Sequence, residues 1–163
     1  MPPALIFLLQ LVLGYAPWLL FMGAYGLPRL RAIESVEVHR AIATLHSFRF
    51  FGLVFLLPGV VGPGLPAGFA TFSAYGDFAT GVLAMLALAA VRVRPLFWLF
   101  VVAFNLVGAT DILVDYYHGV EVGLASVAGQ LGAAYAIVML YVPLLMITHG
   151  VAFYWLARRR RPR

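Results

Sequence analysis

The sequence predicts an all-α, polytopic transmembrane helix bundle with five spans, and three observations predict it. Hydrophobic residues make up 64% of the chain and charged residues 10%, against ~45–50% and ~25% in ordinary soluble domains. Five apolar runs approach the roughly 20 residues that a ~30 Å hydrocarbon core requires of a helix. The basic residues, all of them arginine, fall almost entirely into alternate connections between those runs.

The first run spans about 4–26 and is closed by Pro28 and the Arg29/Arg31 pair. It lacks a basic leader and an A-x-A-like cleavage site, so it reads as a retained helix and not as a secretory signal. The second spans about 41–62 and stops at the Gly62-Pro63-Gly64-Leu65-Pro66 turn. The third spans about 73–90 and is closed by Arg92 and Arg94. Pro95 suits the first turn of the fourth, about 95–118, and the fifth spans about 133–157. No repeat, low-complexity tract or second domain interrupts residues 1–163. The connections 63–72 and 119–132 are themselves apolar, so they are expected to lie in the interface or fold back over the bundle. Pro17, Pro58 and Pro143 are expected to kink their helices.

Short cytoplasmic loops carry the arginine excess. Arg29, Arg31 and Arg40 follow span one, Arg92 and Arg94 follow span three, and Arg158 to Arg161 with Arg163 follow span five. That distribution places the amino terminus outside and the carboxyl terminus in the cytoplasm, in the inner membrane of a bacterium. The formal net charge of +5 does not indicate a nucleic-acid partner, because too little polar surface exists to build a phosphate-binding face. With no cysteine, disulfides, thiolate metal sites and cysteine catalysis are excluded. No nucleophile–base–orienter set is visible, which argues against an enzyme.

Ionisable residues inside a membrane are costly and tend to mark function. Counted along the helices at ~1.5 Å per residue, His46, Arg49 and His149 share the inner half, about 8–12 Å deep, and Asp77 and Asp111 form an outer acidic pair about 6–10 Å deep. Asn105 falls between them. Arg49 needs a counter-ion, and Asp77 or Asp111 is expected to supply it. This contact is read either as a structural ion pair or as a small-ligand or proton site. Asp115, His118 and Glu121 are expected to be solvated. His46 and His149 admit a sharper alternative, axial ligation of a b-type haem, beside the plainer reading of hydrogen-bonded core histidines. A zinc or copper site lacks a third ligand at that depth. Trp18, Trp98 and Trp155 suit an interfacial belt, and the aromatic content of 15% also leaves room for a hydrophobic small molecule.

Four strings carry a resemblance: HSFRFFGLVFLLPGVV (46–61), AYGD (74–77), FNLVGATD (104–111) and VPLLMITHG (142–150). They resemble those of small, uncharacterised bacterial integral membrane proteins, which implies no established activity. Tyr75, from the second string, joins Arg49, Asp77, Asn105, Asp111, His46 and His149 in the candidate set. In length and span count the chain is also similar to the translocator-protein family of tryptophan-rich sensors, which bind porphyrins and sterols, but it lacks that family's tryptophan-rich signatures. The lipid bilayer is the expected partner. A hydrophobic small molecule, other membrane subunits for which the chain would be an accessory, and a second copy of the chain stay open beside it.

Overall fold

The computed structural model describes residues 1–159. Arg160, Arg161 and Arg163 of the basic carboxyl end lie outside the described residues. The described chain is helical, with no strand and a single isolated bridge between Pro58 and Val61. Its α-helices are α1 (Pro3–Phe21), α2 (Leu27–Arg31), α3 (Ser35–Ser47), α4 (Ala67–Ala89), α5 (Arg94–Glu121) and α6 (Val142–Arg159). Four helical stretches are long and apolar enough to cross a membrane: Pro3–Arg31, Ala67–Ala89, Arg94–Glu121 and Ile137–Arg158. They coincide with the first, third, fourth and fifth runs expected from sequence.

The second run is not one α-helix over 41–62. α3 begins earlier and stops at Ser47, and a 3₁₀ segment, Phe48–Leu56, continues the chain until Leu57 turns extended before Pro58. Pro58 therefore sits in the turn after the helix and kinks nothing. Buried residues along α3 follow the α period (Val38, His39, Ile42, Ala43, His46), whereas along the 3₁₀ segment they fall every third residue, at Arg49, Gly52 and Phe55. Three residues per turn stack those side chains on one face; α-helical winding at 3.6 would spread them around the helix. The change of winding thus aims Arg49, Gly52 and Phe55 together at α4, where the Phe55 and Phe69 rings meet edge to face, 6.1 Å apart.

Two π-helical turns, Met22–Gly26 and Ile137–Tyr141, lie just ahead of Pro28 and Pro143. Proline removes an N–H from the helical ladder and crowds the preceding turn, and a wider turn absorbs both effects. Pro28 therefore does not end the first helix, which runs on through α2 to Arg31. At the second π turn, Trp18 Nε1–H donates to the Leu140 carbonyl at 2.8 Å, and Gly14 lets α1 close against the Met139 carbonyl. With Tyr15–Tyr116 and Tyr135–Gln10, these contacts hold α1, most of whose residues are not buried, against the rest of the bundle.

Two apolar clusters divide the interior. Toward the arginine-bearing ends, Val38, Ile42, Ala84, Ala87, Phe97, Val101 and Ala152 pack together, and at the other end Phe55, Leu65, Phe69, Leu124, Leu131 and Val138 do so. Between them α3 with its 3₁₀ continuation, α4, α5 and α6 each present polar residues, so a polar layer lies between the two clusters. Connection 119–132 folds back over the bundle: Leu124–Ala134 is a 3₁₀ stretch with a kink, Gly62 N–H donates to the Gln130 carbonyl at 2.7 Å, and Ala133 N–H donates to the Val60 carbonyl at 3.2 Å. Gly132 makes that contact at φ 53°, and a Cβ there would overlap the Val60 carbonyl oxygen.

Gly132→Ala is expected to cost about 1–3 kcal/mol, a fall of about 2–12 °C in Tm for a chain of this size. Gly23→Ala, where a Cβ meets nothing within 4 Å, is the control and leaves Tm unchanged in a detergent melt.

Candidate functional site

The 3₁₀ segment delivers Arg49, 1% exposed, into the polar layer. Its Nε–H donates to Asp77 Oδ1 on α4 at 2.6 Å, and Nη2 donates to Asp111 Oδ2 on α5 at 2.6 Å. Nη1 donates to the Gly108 carbonyl at 3.2 Å and reaches His149 Nε2 at 3.4 Å. One guanidinium therefore joins α4, α5 and α6 to the 3₁₀ segment. The expectation of one carboxylate partner understates the arrangement: both Asp77 and Asp111 bind Arg49.

The remaining polar residues orient this centre. Asn105 Nδ2–H donates to the Val101 carbonyl at 2.8 Å, so its Oδ1 is free to accept from His149 Nδ1–H at 2.9 Å. The network thereby assigns His149 the tautomer with hydrogen on Nδ1 and an accepting Nε2 turned to Arg49. Thr148 Oγ1 donates to the Leu144 or Leu145 carbonyl and accepts from His46 Nε2–H at 2.9 Å. His46 Nδ1 and Asp111 Oδ1 are buried without a hydrogen-bond partner among the described residues.

Four glycines make the packing feasible. A Cβ at Gly108 would stand 2.5 Å from Arg49 Nη1 and 2.7 Å from His149 Nε2. At Gly52 it would overlap Asp77, at Gly76 it would overlap Asp111 Oδ1, and at Gly81 it would stand 2.9 Å from the Phe50 nitrogen. Gly108 lies midway between Asn105 and Asp111 on α5, so the spacing N-x-x-G-x-x-D lays an amide, a gap for the guanidinium and a carboxylate along one face.

Six of the seven sequence-nominated residues thus converge. Tyr75 does not. It is 58% exposed, because two residues at 100° each carry it to the side of α4 opposite Asp77. Thr148, Gly52, Gly76 and Gly108 join the site without having been singled out from sequence. The expectation that Asp115 is solvated also changes, since it is half-buried and accepts from Ser73 Oγ–H at 2.7 Å. His118 is half-buried too, its ring edge-on to Phe72, whereas Glu121 is exposed as expected.

The two histidines do not fit axial haem ligation. Their ring centroids are 4.1 Å apart, which leaves no space for a porphyrin plane between them, and both Nε2 atoms are engaged by Thr148 and Arg49. Among the described residues no group of three His, Asp or Glu side chains is placed to hold a metal ion.

On the side of the polar layer away from the arginine-bearing ends lies a cavity of about 380 Å³. Phe7 and Leu11 of α1, Phe55, Phe69 and Val138 form much of its apolar wall, and Ser73, Asp77, Asp115 and Tyr116 supply polar groups. Small-molecule sites are commonly ~300–1,000 Å³, largely apolar, with a few convergent polar groups. Asp77 belongs to both features, bonding Arg49 through Oδ1 and lining the cavity.

A family described as a domain of unknown function, DUF8737, matches residues 6–157. The chain belongs to this family. The DUF8737 match includes every residue of the Arg49 network and all of the cavity lining but Ala4. No curated protein and no solved structure matches the chain.

Removing one partner of a buried ion pair costs about 3–5 kcal/mol, so Arg49→Met is expected to destabilise the protein by that amount. The triple variant Arg49→Met/Asp77→Asn/Asp111→Asn removes the stranded carboxylates and should recover at least half of the loss. Thermal melts of the two variants check this; a triple variant no more stable than the single one defeats the charge-balance account.

Proposed function

We propose that this chain is an integral protein of a bacterial cytoplasmic membrane that binds a small hydrophobic ligand in the cavity beside Arg49. The observation that carries the reading is the position of Asp77, held by Arg49 on one side and forming cavity wall on the other. In this reading the Arg49–Asp77–Asp111 centre is a rigid base for the pocket, with Asn105 and His149 fixing its orientation and His46 closing its inner end. A ligand touching Asp77 would sense, and be sensed by, all four elements that Arg49 joins.

Proton carriage is the weaker use of the same residues. Arginine does not deprotonate in proteins, and Arg49 stands between the carboxylates and His149, so a relay would have to pass through a group that cannot release its proton. The His46 and His149 rings also pack on each other without a mutual hydrogen bond.

We assign five crossings to the chain. α3 and the 3₁₀ segment together rise roughly 37 Å at ~1.5 and ~2.0 Å per residue, enough for the second crossing. The positions of Arg29, Arg31, Arg92, Arg94 and Arg158 support a cytoplasmic carboxyl terminus.

Two experiments test these assignments. The lipid-stripped protein is expected to take up one equivalent of a neutral phenylalkane in native mass spectrometry, and Leu11→Trp, which puts an indole into the cavity, to abolish it; uptake indifferent to Leu11→Trp overturns the pocket. Because the chain has no cysteine, single cysteines report topology cleanly. Glu121→Cys should react with an impermeant maleimide on intact cells and Ile33→Cys only after permeabilisation, and the opposite pattern reverses the orientation.

A further inference from the structure

The formal charges facing the cavity are all of one sign. Asp77 and Asp115 line it, while Arg49 does not, and among the described residues neither does any other arginine or histidine. Within the polar region Arg49 faces three carboxylates, Asp77, Asp111 and Asp115, and bonds only the first two. Asp115 is bonded by the neutral Ser73 hydroxyl. A carboxylate served by one hydroxyl in an apolar enclosure attracts a cation or a strong donor and repels an anion.

The rest of the wall suits the same occupant. Phe7, Phe55, Phe69 and Tyr116 present ring systems to the cavity, and aromatic faces attract ammonium groups, most strongly where water is excluded. Tyr116 is tied in place by its hydroxyl contact with Tyr15 at 2.6 Å, which also marks where α1 and α5 meet. Beyond that contact the cavity opens between Ala4 and Leu8 of α1 and Val120 of α5; Leu8 is 55% and Val120 84% exposed. This rim is apolar and lies at the outer ends of two helices read as membrane-spanning, next to Glu121, so an occupant would enter from the outer interface of the bilayer.

We propose that the ligand of this pocket is a lipophilic cation, an apolar body bearing a protonated or quaternary amine, which enters laterally between α1 and α5 and places its charge between Asp115, Asp77 and the aromatic wall. The assignment rests on the ligand-binding reading above and adds to it the chemical class, the route and the carboxylate that selects the charge.

The test uses three probes on the full-length protein in detergent or nanodiscs: a phenylalkyl trimethylammonium ion, its neutral isostere with carbon in place of nitrogen, and a phenylalkanoate anion. The cation is expected to bind at least about tenfold more tightly than the isostere, the range of a charge-assisted contact, and the anion not at all. Asp115→Asn should remove most of that preference, and Val120→Trp at the rim should slow entry of both. Equal binding of cation and isostere by the unaltered protein overturns the cation assignment and leaves the pocket standing, as does a preference for the anion or an Asp115→Asn variant that retains the full preference. Failure of all three probes to bind sinks the pocket itself and the cation assignment with it.

Discussion

The guanidinium of Arg49 is the contact on which the rest of this bundle depends. Apolar helices in a bilayer have little hydrophobic reason to choose one partner over another, since lipid tails are as apolar as leucine. Polar contacts and close backbone approach must then specify which faces meet. Arg49 supplies both kinds of constraint, because two carboxylates on different helices converge on it and Gly52, Gly76 and Gly108 clear the space it needs. A lysine ammonium, a compact point charge, would lack the planar fork that reaches Asp77 and Asp111 from separate nitrogens.

The polar layer also separates two regions of different character. On the arginine-bearing side Phe97, Val101, Phe104 and Ala152 are fully buried. On the other side packing is incomplete, and a cavity remains under α1, the least buried of the long helices. A fixed charged centre thus stands beside an unfilled apolar space, and the centre keeps the Asp77 carboxylate at a defined place on the wall of that space. The π turns near Pro28 and Pro143 and the 3₁₀ winding after Ser47 keep the backbone hydrogen-bonded while departing from α geometry, as a membrane interior demands.

Much of this was legible in the residues. The apolar runs and their charged boundaries located four of the helices, with ends up to six residues off because α4 begins at Ala67 inside the expected connection 63–72, and the intramembrane polar groups singled out six residues that do meet. Less legible was the winding of 48–56, because a short apolar run looks alike whether three or 3.6 residues make a turn. That difference determined that Arg49 shares a face with Gly52 and Phe55. Tyr75 was misplaced because a neighbouring residue in a string need not share a helix face. Asp115 was misplaced because distance from the helix end says nothing about whether another helix, here α4 with Ser73, packs against it.

Sequence alone determined the environment, the helical class and the identity of the charged residues that such an environment cannot leave unpaired. Those follow from transfer energies and charge, which are properties of residues and not of their arrangement. The tertiary structure alone decided that Arg49 takes two partners, that His46 and His149 pack too closely for a macrocycle, and that Asp77 faces a cavity. Each of these depends on the rotation and separation of helices that are distant in the chain, and those are settled by glycine contacts and side-chain packing that no local pattern encodes.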